Sequence, residues 1–142
     1  MSGSVLDTPT TFFCGSNAAL LALLRRSQGY NDYGQVGDGT TTQRSTARKV
    51  QGLPANTTVA DVKCGAQHCC ALTVTKRLFC WGYNAHGQLG DYSTTDRSTA
   101  VEVLTDIDSC GVGLYDTCAL VVNGSVYCWV RRRRRLSEFT RD

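Results

Sequence analysis

The chain is poor in most of the features that announce a chemistry. No apolar run is long enough to span a membrane. There are only two histidines, His68 and His86, and no Ser or Cys nucleophile recurs beside a base, so no catalytic set emerges. No C-x-x-C is present. A zinc site would have to lean on Cys64, His68 and Cys69 in "CGAQHCCAL", spacings that fit structural zinc poorly, and no metal ligand set is assigned. No G-K-[ST] follows the glycines, which excludes a nucleotide phosphate cradle of that type. The start, "MSGSVLDTPTTFF", lacks a basic leader region, and the apolar stretch 18–24 is short and runs into Arg25 and Arg26, a poor secretory signal. Positive charge is scarce outside one place. Five of the 15 Lys and Arg are the run Arg131–Arg135, and the rest of the chain is slightly acidic. That is no nucleic-acid surface spread over a domain. The expectation is no cofactor, no small-molecule substrate, no membrane span and no nucleic-acid partner.

What the chain does have is a repeat. Gly29–Val50 and Gly82–Val103 agree at 14 of 22 positions, and Cys70–Trp81 and Cys118–Trp129 at 6 of 12. The intervening stretches are 19 and 14 residues long, which puts the length difference in a loop. Two consecutive units follow, 29–81 and 82–129, preceded by a degenerate partial repeat or non-native leader at 1–28 and followed by a basic, disordered tail at 130–142. Like-charge blocks are usually solvated.

Each unit opens with a polar glycine-rich loop, "GYNDYGQVGDGTTTQ" or "GYNAHGQLGDYSTTD". Short strands are expected near Ala47–Val50 and Ala100–Leu104, then at Val59–Cys64 and Ile107–Cys110. A hairpin closes each unit, "CALTV" to "LFCW" and "CALVV" to "VYCW". About four short strands per unit without helical periodicity is the pattern of a β-propeller blade. The fold class is all-β, a partial β-propeller of four-stranded antiparallel blades. Gly34, Gln35, Gly37, Gly87, Gln88 and Gly90 shape the loops, with the glutamines bonded to loop backbone. Trp81 and Trp129 pack between blades. Asp38 and Asp91 recur with Arg44 and Arg97, an arrangement expected of loop ion pairs rather than of catalysis.

Eight cysteines in 142 residues point to disulfides and an oxidising compartment, or to a metal site. Cys70 and Cys80, like Cys118 and Cys128, stand ten apart on the arms of one hairpin. A three-residue turn, Val122–Gly124 with Gly124 left-handed, sets Cys118 opposite Cys128, within disulfide reach; a two-residue Asn-Gly turn does not. In the first unit Lys76 takes the Gly124 position, at a cost of about 1 kcal/mol if left-handed. Cys14, Cys64 and Cys110, each followed by Gly, read as an equivalent set, and Cys69 is extra. The pairing of these four is open. Asn56 and Asn123 head glycosylation triplets that matter only in an exported chain.

"CALTVTKRLFCWGYNAHGQLGDYSTTDRSTAVEV" resembles the repeat of the regulator of chromosome condensation family, and the resemblance runs from Gly29 to Trp129, about 70% of the chain. It implies a seven-bladed propeller used mainly as a protein-binding platform. The variety with Cys in both "CAL" and "CW" resembles secreted or surface members. Light sensing, known in this propeller type, would need a cluster of Trp, and the chain has two. The resemblance enters and leaves at one phase, between the Trp and Gly positions. The chain thus reads as a piece of a longer propeller, with open blade faces and self-association expected. Tyr30, Tyr33, Tyr83, His86 and Tyr92 in the loops are candidate binding residues; packing between blades is the competing role. The runner-up function is a guanine-nucleotide exchange factor or other regulator of a small GTPase that also touches chromatin. Paired cysteines fit an extracellular or cell-surface binder, free thiols a cytoplasmic or nuclear regulator.

Overall fold

A computed structural model describes residues 11–14 and 26–130. The Ala-Leu-rich stretch at 18–24 and most of the basic tail lie outside them. Among the described residues there are ten strands and no helix. They are β1 (Thr11–Cys14), β2 (Arg26–Gly29), β3 (Arg44–Lys49), β4 (Val59–Cys64), β5 (His68–Thr73), β6 (Leu78–Gly82), β7 (Arg97–Leu104), β8 (Ile107–Val112), β9 (Asp116–Val121) and β10 (Val126–Val130). The sheets run β1-β2-β3, β4-β5-β6-β7 and β8-β9-β10. All pairings are antiparallel except β1 with β2, which is parallel. β3 begins at Arg44, earlier than the expected Ala47, and releases Val50 from the strand into the core.

The sheets and the sequence units are out of phase. β7, at the start of the second unit, hydrogen-bonds to β6 and completes the sheet of the first. β3 in the same way joins β2, which precedes the first unit. Sequence similarity marks what recurs, while pairing follows which edge is open; β6 offers one, and the loop 83–96 is long enough to return to it.

The central sheet is covered on both faces, which is why β5 and β6 are buried at every residue. Side chains alternate. Cys69, Ala71, Phe79 and Trp81 pack with Val50 and Ala100. Cys70, Leu72, Leu78 and Cys80 pack on the other face with Leu89, Ile107 and Ala119.

Disulfides join Cys64–Cys69, Cys70–Cys80 and Cys118–Cys128. The hairpin registers set Cys70 opposite Cys80 and Cys118 opposite Cys128. The turns are three-residue ones: Val121 N–H donates to Ser125 O and Thr73 N–H to Arg77 O. Gly124 has φ 89° and Lys76 φ 62°. The equivalence of Cys110 with Cys64 needs correction. Cys64 pairs Cys69, whereas Thr117, in the place of Cys69, is paired by Val112; Cys110 lies opposite Ala119. The shared Cys-Gly dipeptide is offset by two residues. Cys110 is a free thiol, which burial pushes up to about 11.

Candidate functional site

The two glycine-rich loops are built alike, from the inside out. Asn31 and Asn84 are fully buried and act as hubs. Asn31 donates to Thr40 O and Thr42 O and accepts from Val36 N–H. Asn84 donates to Ser93 O and Thr95 O and accepts from Leu89 N–H. Gln35 accepts from Tyr33 N–H at 2.9 Å and Gln88 from His86 N–H at 3.0 Å. Arg44 meets Asp38 at 2.6 Å and Arg97 meets Asp91 at 2.7 Å. Burial pushes the Asp91 carboxyl up, but hydrogen bonds from Arg97, Ser93 and Asn84 outweigh it and hold the carboxyl below its usual value. Asp38 is lowered in the same way, with Thr40 and Arg44 outweighing burial.

Tryptophan fastens each loop to the sheet beside it. Trp81 Nε1 donates to Gln35 O at 2.9 Å, and its indole lies against Gly37. Gly90 lies against the Trp129 indole in the second unit. Both glycines have φ 76°, and a Cβ on either would run into the ring.

This scaffold brings part of the predicted aromatic set together. Tyr33 and Tyr83 are edge to face at 4.7 Å, Tyr83 and His86 at 5.8 Å, and His86 and Tyr115 at 6.4 Å. The row crosses from the first loop to the second and on to the turn before β9. Tyr33, Tyr83 and His86 are half-buried, and Tyr115 is exposed. Tyr30 and Tyr92 stand outside these contacts. The Tyr30 hydroxyl bonds Asp32, and Tyr92 is 98% exposed at φ 58°, where the first loop has Gly39. The repeat hides Tyr115, because the register-equivalent residue of the first unit is Gln67.

Three carboxylates flank the row. Asp32 precedes Tyr33, Asp96 accepts from the N–H of Asn84 beside Tyr83, and Asp116 follows Tyr115. None of the three is in an ion pair among the described residues. Beneath them His68 is buried with Nε2 2.9 Å from Thr117 Oγ1. Burial lowers its pKa to about 4 against the opposing effect of Asp116. Cys64 and Cys69, which a zinc site would have needed as thiolates, are joined to each other.

Antiparallel sheets packed face to face, each pinned to the next by a loop and a tryptophan, define a segment of a β-propeller. Its repeats belong to the family described as "Regulator of chromosome condensation (RCC1) repeat", whose profiles match residues 27–72 and 59–88. The chain is 32% identical over 98 residues to Protein RCC2 of Homo sapiens, covering 68% of this chain and 19% of that protein. It is 36% identical over 70 residues to the Ultraviolet-B receptor UVR8 of Arabidopsis thaliana, covering 49% and 16%. Among solved structures it is similar to human WBSCR16 (TM-score 0.67, 24% identity, 74% of this chain and 28% of that one). It is also similar to yeast RCC1 (Prp20), solved bound to Kap60 (TM-score 0.62, 17% identity, 73% and 27%). The chain spans about a fifth or less of the length of the two relatives named.

Proposed function

We propose that this chain is a non-enzymatic, protein-binding propeller segment whose contact surface is the loop end carrying Tyr33, Tyr83, His86 and Tyr115, with Tyr92 at a loop tip. The observation that carries the reading is the row itself: aromatic rings from two repeats converge on one end of a scaffold cross-linked beneath them. Rigid, partly exposed Tyr rings give contact area at low entropic cost. Tyr92 adds an aromatic ring that is 98% exposed at a loop tip. Three disulfides favour an oxidising compartment, hence an exported or surface-bound chain.

One structural neighbour supplies usable probes: Prp20p of Saccharomyces cerevisiae, whose binding to Gsp1p and histones has been characterised. Histone binding is also what the second reading, a small-GTPase regulator that touches chromatin, requires. Calorimetric titration of both proteins against this chain tests the proposal. Tyr83→Ala and Tyr92→Ala, checked for unchanged melting, should each weaken binding tenfold or more, the loss expected of an interface anchor. Binding indifferent to both substitutions takes the contact off this surface. Binding to neither probe removes that neighbour's partners from consideration.

A further inference from the structure

We infer that Asn56 is the acceptor of an N-linked glycan, on the end of the molecule away from the aromatic row. The inference rests on the reading of the chain as exported, and three observations carry it. The first is the triplet. Asn56-Thr57-Thr58 has the acceptor pattern, and Asn56 and Thr58 are both exposed. The second is that neither the Asn56 amide nor the Thr58 hydroxyl hydrogen-bonds another described residue. Asn56 has φ 59° in the turn Pro54–Thr57, where Asn is the usual alternative to Gly. That accounts for the asparagine, but not for a threonine two residues on with its hydroxyl open. The third is the contrast with Asn123, whose triplet is engaged. Asn123 Oδ1 accepts from Ser125 N–H at 2.9 Å, Ser125 O accepts from Val121 N–H at 2.8 Å, and Cys118–Cys128 closes the hairpin around them. A transferase that draws the triplet into its own cleft must break that turn. Asn56 instead lies in the connection 50–58 between β3 and β4, where the turn bond from Thr57 N–H to Pro54 O is long at 3.2 Å.

The placement follows from strand direction. Tyr83 N–H donates to Gln67 O at the row end, where β5 begins at His68. β5 ends at Thr73, opposite Val59, and Val74 N–H donates to Thr58 O. The triplet thus lies a strand length, about 20 Å, from the row. A glycan there leaves Tyr33, Tyr83 and His86 uncovered: one end of the molecule carries sugar and the other faces a partner. The step is a group transfer from a lipid pyrophosphate-linked oligosaccharide. The amide nitrogen of Asn56 bonds the anomeric carbon, and the bond from that carbon to the pyrophosphate oxygen breaks. The amide gives up one proton, and the lipid pyrophosphate leaves with the electron pair.

The full chain, made in animal cells behind a cleavable leader, is treated with peptide-N-glycosidase in heavy-oxygen water, and its peptides are weighed. The parent should yield labelled aspartate at position 56 and unchanged asparagine at 123. Thr58→Ala should lose the label. That variant leaves Asn56 in its turn, so the loss is not one of fold. Tyr92→Asn, which writes a third triplet ahead of Ser93-Thr94, is the control for a chain that meets the transferase. Asparagine suits the left-handed backbone there. A bare position 56 in a chain glycosylated at 92 overturns the inference and leaves export standing. A chain bare at both positions, or a glycan that survives Thr58→Ala, overturns it as well. The same digest shows whether Cys64–Cys69, Cys70–Cys80 and Cys118–Cys128 are joined. Free thiols at all six remove the exported reading and the inference with it.

Discussion

The hairpins β5–β6 and β9–β10 share half their residues, one register and one disulfide, yet they occupy different surroundings. Leu78 and Cys80 are fully buried. Val126, in the place of Leu78, is 63% exposed, and Cys128, in the place of Cys80, is exposed as well. Phe79 is buried where Tyr127 is 53% exposed. β6 is followed by β7 on its outer edge and by the β8-β9-β10 sheet over its outer face; among the described residues β10 has neither. Burial here is a property of neighbours. A Cys-Ala-Leu strand is buried throughout in one repeat, whereas in the next Ala119 is core and Cys118 and Leu120 are only half-buried, because only the first is covered on both faces.

The sharpest test of that contrast removes each disulfide as a pair. Both close chain segments of equal length, so the loss from freeing the unfolded chain is roughly 3 kcal/mol in either case. Cys70→Ala with Cys80→Ala also leaves a void between packed faces, worth about 1–2 kcal/mol more. Cys118→Ala with Cys128→Ala leaves little. Urea unfolding should rank them in that order, and equal losses would break the comparison.

Next in size is His68, whose register equivalent at the start of β9 is Asp116. The His68 pKa falls to about 4 in the fold, because burial disfavours the charged ring. The unfolded chain binds the proton first, near 6.5, so stability falls as pH drops from there toward 4. The loss is on the order of 3 kcal/mol at 1.36 kcal/mol per unit. His68→Gln should flatten that part of the stability–pH curve.

The turns give a smaller contrast. Gly124→Lys installs the residue of the first hairpin in left-handed backbone and should cost about 1 kcal/mol. Lys76→Gly should recover less than that, because it gives up the exposed Lys76–Asp108 pair at 2.9 Å. Denaturant midpoints measure both. Smallest in stability is Val126→Lys, expected within about 0.5 kcal/mol. If the bare face drives self-association, the same substitution should lower the associated fraction in sedimentation velocity at fixed concentration.

Much of the architecture was legible because it is written locally. The hairpins show in Cys-Ala-Leu and Cys-Trp, while Asn-Gly alone fits a two-residue turn as well, and the three-residue turn follows only if the two cysteines of the hairpin are paired. The Asp–Arg pairs show in positions six apart. Pairing partners were less legible. Nothing in Arg97–Leu104 says that it completes the sheet of the preceding repeat, since pairing is decided by which strand edge lies open. The Cys-Gly dipeptide suggested an equivalence of Cys110 with Cys64 that the register places two residues away. In the candidate site, Tyr33, Tyr83 and His86 were visible as loop aromatics, but their mutual contact depends on how successive loops stack. Tyr115 has no aromatic counterpart to flag it.

The offset between sequence repeat and sheet has a bearing on how such chains change over time. Each repeat carries the closing strand of the sheet before it, so repeats overlap like roof tiles rather than abutting like bricks. A duplicated tile arrives with its own lap joint: its first strand finishes the previous sheet, and its hairpin waits for the next. Gain of a unit therefore needs no new interface. A cut made between units always leaves one sheet a strand short, and that sheet is the natural place to splice another copy.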